Sequence, residues 1–373
     1  MKRVLTSATL SLLLCNLLQS PVAADTALNY EWSASKYVVT PQLLGIASDG
    51  SKRSGVDQAA FIDAAGNLRL IFASYDEKKR SVISKDNGAT WSIDTGFSWP
   101  TWSIDSGPAA YVAVSSAPEG GFRAFASYGE KGVVSATSKD GQVWSAESGV
   151  RYKPSDLGLQ KVTSSNPIKL SDGTYRIYVG DDSDYFRKCA SDKSITTNIY
   201  SLSSKDQLTW SVDPGVRVGA TYDNRCKLHP QAFIDNDGQI GLIYHINTRI
   251  GENDPTHNSI CTISKSSDGL TFGQPTRLPT GLPKEWENLP RKLLNCDDAS
   301  FLVMPDKSVR VFFAVFGPPP MGDQIGMASG TKVSTASTPT ATDKKITISC
   351  VKGKIVKKVT GANPKCPSGF KKR

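Results

Sequence analysis

The residues of this chain that could do chemistry are polar groups placed where apolar strands begin. Asp57 opens D-Q-A-A-F-I, His229 opens H-P-Q-A-F-I and Asp298 opens D-A-S-F-L-V; Asp105, with Ser106 beside it, precedes P-A-A-Y-V-A-V, and Asn166 opens N-P-I-K-L. Two carboxyl groups sharing one opening can divide labour: one protonates a leaving oxygen while the other group activates water or attacks, the chemistry that splits an acetal linkage. Asp57 and Asp298 read as a base and its orienting partner, with the acid supplied by Asp105 or by a loop residue such as Glu130 or Glu252. His229 would hydrogen-bond a ligand, or hold a cation together with Asp298.

Aromatic loops lead toward the same openings. Phe97-Ser98-Trp99-Pro100-Thr101-Trp102 precedes Asp105, and Lys284-Glu285-Trp286 precedes Asp298. Indoles beside polar groups are surfaces on which sugar rings stack, so Trp99, Trp102 and Trp286 are candidate ligand platforms. The alternative is that they pack between sheets. Arg249 lies in a loop with His245, Glu252 and Asp254, and a second loop carries Asp181, Asp182, Asp184 and Tyr185; both could complete a cleft.

What must position these groups is a repeat. The run S-K-D-N-G-A-T-W, Ser84 to Trp91, returns as S-K-D-G-Q-V-W from Ser138, S-K-D-Q-L-T-W from Ser204 and S-S-D-G-L-T-F from Ser266. Asp86, Asp140, Asp206 and Asp268 are thus 54, 66 and 62 positions apart. Ser and Asp side chains bond local backbone N–H groups and Gly accepts positive φ, so the run is a turn that clasps a hairpin, with the aromatic tucked beneath it. Ahead of each clasp runs an apolar strand, a turn and a second apolar strand, a pair that occurs five times against four clasps. Strand, turn, strand, loop, strand, clasp, strand is a four-stranded antiparallel meander, which at this period predicts an all-β chain folded as a β-propeller. Five blades are the plain count; a sixth would have to be built from residues 30–46, with strand exchange between the first and last segments closing the ring.

The ends differ from this body. Residues 1–24 carry Lys2 and Arg3, a short apolar stretch and the small residues Val22-Ala23-Ala24, the pattern of a signal peptide removed after Ala24 from a secreted or cell-surface protein. Six cysteines follow it, so disulfides are expected: Cys350 with Cys366, and by proximity Cys189 with Cys226 and Cys261 with Cys296. Their spacing does not resemble a zinc site, and no metal or cofactor is assigned. The propeller is expected over residues 25–330, a Ser/Thr/Pro linker over 331–342, and a small basic β-hairpin module, held by one disulfide, over 343–373. From Asp343 onward there are ten Lys or Arg and one acid, so the chain's net charge of +9 resides in this tail. It could grip an acidic surface polymer or serve only solubility. No nucleic-acid-reading module and no membrane-spanning stretch beyond the signal are present in the sequence.

The clasp resembles the Asp box, or bacterial neuraminidase repeat, of sialidase-like β-propellers: the first copy matches S-x-D-x-G-x-T-W in full, the others are one residue shorter, and the third lacks the Gly. Behind a D-G-x-Y-x-I-Y strand, the shortened form also resembles the blades of five-bladed glycosidases that act on arabinans, xylans and fructans. The sialidase likeness implies an Arg in an R-I-P string; the nearest here is Tyr175-Arg176-Ile177, with Tyr178 in place of Pro. The five-bladed likeness implies acids at the starts of inner strands, which Asp57, Asp105 and Asp298 would meet, and a Glu near the place of His229, which is missing. The resemblance therefore implies either a glycoside hydrolase acting through axial carboxylates or a non-catalytic propeller that binds glycan or protein ligands at the same mouth.

Overall fold

The computed structural model describes residues 30–33, 35–47, 54–76, 78–102, 104, 111–183, 196–219, 226–247, 259–278, 297–316, 323–333, 346–361 and 364–373. The chain divides into two compact units between Thr331 and Lys332. In the larger unit five antiparallel sheets follow one another along the chain.

The first sheet is β3 (Val56–Ile62), β4 (Leu68–Ala73), β5 (Lys79–Ser84) and β6 (Ser92–Ile93), following the N-terminal strands β1 (Tyr30–Trp32) and β2 (Lys36–Val39). The second is β7 (Tyr111–Ser116), β8 (Phe122–Ser127), β9 (Val133–Ser138) and β10 (Ser145–Ala146). In the third, β11 (Val162–Ser164) and β12 (Ile168–Lys169) share the edge of β13 (Tyr175–Asp181), followed by β14 (Ile199–Ser204) and β15 (Ser211–Val212). The fourth is β16 (Lys227–Ile234), β17 (Ile240–Asn247), β18 (Ser259–Ser266) and β19 (Thr276–Arg277). The fifth contains β20 (Asp297–Val303), β21 (Val309–Phe316) and β22 (Asp323–Lys332), and its outer edge is made by β1 and β2, both paired with β22.

Inner strands touch their neighbours in ring order, and β20 and β21 return to β3. The ring therefore has five blades, and residues 30–39 close the fifth instead of starting a sixth. This also explains why five strand pairs come with four clasps: a clasp joins a blade's third strand to its fourth, and the fifth blade takes its outer strand from the other end of the chain.

The clasps have the predicted chemistry. Ser84 Oγ contacts Asp86 Oδ1 at 2.7 Å and accepts from Gly88 N, while Asp86 accepts from Thr90 N and Thr90 Oγ1. Trp91 Nε1 donates to Gly88 O at 3.2 Å, and Trp144 and Trp210 make the same bond in their own clasps. The third clasp has Gln207 where the others have Gly, at φ 61. Its side chain accounts for the exception, since Gln207 Nε2 donates to Ser116 O and Oε1 accepts from Arg123, tying the third blade to the second.

These bonds hold the clasp carboxyls well below the usual aspartate range, Asp86 chiefly through Thr90 and Asp268 chiefly through the backbone of Thr271, both to about 2. A lowered folded-state pKa gives stability that is complete above the unfolded value of about 4 and lost as pH falls through the folded value. The loss of thermal stability in Asp86→Asn should thus be full at pH 5–7 and shrink toward zero as pH approaches about 2, which melts over that range would show.

Blades are also joined by arginines at one repeated position, the residue after the start of each second strand. Arg69, Arg123 and Arg176 each bond an acid three residues past the clasp aromatic: Asp94, Glu147 and Asp213. Arg123 and Arg176 then reach the next clasp, at Asp206 O (3.2 Å) and Asp268 O (2.8 Å). The fourth blade has Gly241 at this register position and Pro275 in place of the acid. A Cβ on Gly241 would collide with the ring of Phe233, which fills that space and stacks on Phe301 with centroids 3.9 Å apart.

The smaller unit holds β23 (Ile346–Lys352), β24 (Ile355–Gly361) and β25 (Lys371–Lys372), with β23 in the centre and a Cys350–Cys366 disulfide. The expected hairpin is thus a three-stranded sheet. Cys226 and Cys261 are also disulfide-bonded, and the cysteines proposed to pair with them, Cys189 and Cys296, lie outside the described residues. Among the described residues no helix is long and apolar enough to cross a membrane.

Candidate functional site

Three inner strands break their ladders at the same place. Register shifts fall between Val56 and Ala59, Leu228 and Gln231, and Asp297 and Ser300, and in each the first residue inside the shift is left-handed: Asp57 at φ 54, His229 at φ 50, Asp298 at φ 53. A β-bulge re-aims a side chain, and a non-glycine residue held at positive φ costs of order 1–3 kcal/mol, so it persists only where the surroundings enforce it. The three bulges turn the starts of the first, fourth and fifth inner strands toward one another at one mouth of the ring.

The three side chains form a buried cluster. His229 Nδ1 contacts Asp298 Oδ1, and Asp57 hydrogen-bonds Asp298. His245, from β17, stands with its ring 4.8 Å from that of His229 and nearly perpendicular to it, and its Nε2 lies 3.4 Å from Asp297 Oδ1. Tyr111, the first residue of β7, packs its ring 3.9 Å from His229. Below the cluster, Gln58 Nε2 donates to the backbone carbonyls of Asp298 and Phe312, and Ser300 Oγ donates to Gln58 O at 2.9 Å, locking the fifth inner strand to the first.

Burial sets the charge balance here. It pushes the Asp57 carboxyl up to about 8, helped by the Asp298 charge and opposed by Lys79 and His229. Burial and then Asp297 push Asp298 up to about 6, against the pull of His245. Desolvation lowers His229, which favours the neutral imidazole, and lowers Lys79. Asp182, past the end of β13, is raised to about 6, first by burial, with His229 and Lys161 opposing. One buried oxygen of Asp182 makes no hydrogen bond.

The sequence-predicted residues fare unequally. Asp57, His229 and Asp298 converge, and His245 and Asp182 join them; Asp297, Lys79 and Tyr111 are neighbours that the sequence did not single out. Asp105, Arg249 and Trp286 lie outside the described residues, as does Glu252. Glu130 is exposed and paired with Lys161 at 3.3 Å. The described inner strand of the second blade runs from Tyr111, and the third begins at Val162, which places Asn166 between β11 and β12, where it bonds the backbone of Ala232.

Trp102 is withdrawn from the surface, and Trp99 is partly so. Trp102 is 8 % exposed and donates to Ser135 O at 3.0 Å; Trp99, half-buried, packs on Trp102 and Trp144 against the core of the second blade. Ser98, beside Trp99, bridges Val143 of the second clasp. Clasps lie at the far end of the sheets from the mouth, since Ile62, Leu68 and Ser84 are in register there while Val56, Ala73 and Lys79 are in register at the mouth. Arg176 is likewise spent at the clasp end, on Asp213 and Asp268 O, so it is not the counterpart of an R-I-P arginine.

Five antiparallel blades around a polar axial mouth define a five-bladed β-propeller. Similar solved structures are an endo-arabinase from Bacteroides thetaiotaomicron VPI-5482, at 13 % identity over 78 % of this chain and 96 % of that one with a TM-score of 0.52, and a thermostable family-43 glycoside hydrolase, at 13 % identity over 85 % and 95 % with a TM-score of 0.53. A member of the GH130 family of mannoside phosphorylases and glycoside hydrolases is 12 % identical over 80 % and 94 %, with a TM-score of 0.52. No family model matches the sequence, and no curated protein matches it.

Proposed function

We propose that this chain is an exported carbohydrate-active propeller that cleaves a glycosidic bond at the axial mouth. The observation that carries the reading is the convergence of Asp57, His229 and Asp298 through three equivalent left-handed bulges, a costly backbone solution repeated where carboxyl and imidazole groups meet. The fold neighbours that are named as acting on carbohydrate support it.

Asp57 is the group that faces the mouth; it is half-buried, while Asp298 and His229 are 6 % and 4 % exposed and orient it. The hydrogen bond between Asp57 and Asp298 brings them closer than the ~5–5.5 Å of a retaining pair or the ~6.5–9.5 Å of an inverting pair. They therefore act as one unit, and the second carboxylate of the reaction is Asp182 or another mouth acid. The same closeness and burial favour a second reading, a propeller that binds glycan without cleaving it.

The test is release of sugar from arabinoside, xyloside, fructoside, mannoside and sialoside substrates by the mature protein and by Asp57→Asn. Release that the variant loses supports hydrolysis and names the sugar. Retained glycan binding with no release from any substrate would overturn hydrolysis in favour of binding.

Export is supported by the N-terminal signal pattern together with four disulfide-bonded cysteines among the described residues, Cys226 and Cys261 in the propeller and Cys350 and Cys366 in the tail. The basic tail, with exposed Lys357, Lys358, Lys371 and Lys372 on its sheet, supports a grip on an acidic surface polymer. Reversing those charges should weaken retention on such a polymer without altering the sugar chemistry.

A further inference from the structure

We propose that His229, His245 and Asp298 form a binding site for a divalent transition-metal ion of the zinc or cobalt kind, on the axis of the ring. One ring nitrogen from each histidine and one oxygen of Asp298 all lie within 4.8 Å of one another, and all three residues are buried. Tetrahedral zinc with bonds of ~2.0–2.1 Å places its donors about 3.3 Å apart, so small side-chain rotations bring the three into range. His229 Nδ1 and Asp298 Oδ1 are already in direct contact, an interaction that an ion held by both groups would replace.

The donors are carried by rigid elements. His229 and Asp298 sit at left-handed bulges in adjacent blades, and His245 is paired in the ladder with Leu228 on one side and with the disulfide-bonded Cys261 on the other. A supporting group is also in place: Asp297 Oδ1 lies 3.4 Å from His245 Nε2, the carboxylate that typically accepts the second ring proton of a metal-bound histidine and fixes its tautomer. The ring of Tyr111 walls the other side of His229.

Donor type decides the ion. Two imidazoles and one carboxylate suit zinc, cobalt, nickel or iron, whereas calcium and magnesium take mainly oxygen ligands in larger number. Three protein ligands leave a coordination position for water or a ligand, as in zinc sites that are not purely structural. The site needs no glycoside cleavage to exist, so the inference goes beyond the proposed function, and its readout is binding of the metal alone.

The experiment uses the mature full chain, freed of any affinity tag and stripped with a chelator, titrated calorimetrically with Zn2+, Co2+ and Ca2+. The expected result is one Zn2+ per chain, a Co2+ ligand-field absorption of low-symmetry type, and much weaker Ca2+ binding. His229→Ala and His245→Ala should each weaken Zn2+ binding at least about 100-fold with an unchanged circular dichroism spectrum, and Asp297→Asn about 10–100-fold. If either alanine variant fails to fold, His245→Gln takes its place. His257→Ala, which removes the chain's remaining histidine, should bind as the parent does. No saturable Zn2+ binding, binding unchanged in folded variants of both axial histidines, or Ca2+ held as tightly as Zn2+ would overturn the site.

Discussion

Replacing Asp57 by glycine is expected to give a protein that melts slightly higher and has lost its chemistry. Asp57 is held at φ 54, where a non-glycine residue pays a conformational cost of about 1–2 kcal/mol that glycine avoids. The substitution also removes a carboxyl forced up to about 8 by burial and by Asp298. Set against the larger entropy of an unfolded glycine, the net gain is about 1 kcal/mol, or a rise in Tm of a few degrees. If the mouth cleaves glycosidic bonds as proposed, sugar release should fall about a hundredfold to ten-thousandfold, the usual contribution of a positioned acid or base. Paired melts and turnover assays give both numbers. A variant that melts lower and still releases sugar would make Asp57 a brace for the ring and move the chemistry elsewhere.

The largest loss of stability is expected at the opposite end of the sheets, in Arg123→Ala. Arg123 is 2 % exposed and bonds Glu147 with two nitrogens, at 2.9 and 3.0 Å, Glu119 at 2.6 Å, and Asp206 O and Gln207 Oε1 across the blade boundary. Removing it leaves Glu147 with the Ser135 hydroxyl in place of a guanidinium fork, takes the donor from the Asp206 carbonyl and unties the second blade from the third. Breaking a fully buried pair costs about 3–5 kcal/mol, and since the Glu147 side chain is 20 % exposed and that of Glu119 52 %, the loss here should be about 2–3 kcal/mol. Lysine should restore little, because the fork geometry is what serves several acceptors at once. Arg310 provides the comparison: it occupies the same position in the fifth blade, yet among the described residues its hydrogen bonds reach only Ser308 Oγ and Val309 O, so Arg310→Ala should cost about 1 kcal/mol or less. Denaturant melts of the two variants would measure the contrast; equal losses would mean that the arginines do not staple blades.

Much of the fold was legible because it is written repeatedly. Each clasp declares its turn through Ser, Asp and an aromatic, and each strand pair declares itself through apolar runs, so the blades could be read from spacing. Closure was harder, since nothing in Tyr30-Glu31-Trp32 says that its partner is nearly 300 residues away in β22. The arginine staples were also visible in principle: the first three blades carry both Arg and the acid past the clasp, while the fourth lacks both together. For the site, a polar residue at the start of an apolar strand was a sound guide to Asp57, His229 and Asp298. It failed at Asn166, where a split strand moves the start to Val162, while Asp105 lies outside the described residues. Trp99 and Trp102 misled for a related reason. An aromatic loop looks the same in sequence whether the chain is passing the mouth or the clasp end. The left-handed backbone was illegible, because Asp and His do not advertise positive φ as Gly does.

Because β1 and β2 complete the fifth sheet, the first strands made are among the last to find partners. Until β20 to β22 exist, residues 30–39 have no edge to join and the ring stays open. A chain that emerges from its N-terminus therefore remains a string of partly assembled blades, threadable through a narrow passage, until synthesis of the propeller is nearly complete. Pairing β1 and β2 with β22 joins segments nearly 300 residues apart, a contact that carries a loop-closure entropy cost. The same seam makes the ring a natural subject for circular permutation, with the opening moved to a different blade boundary and the present ends fused.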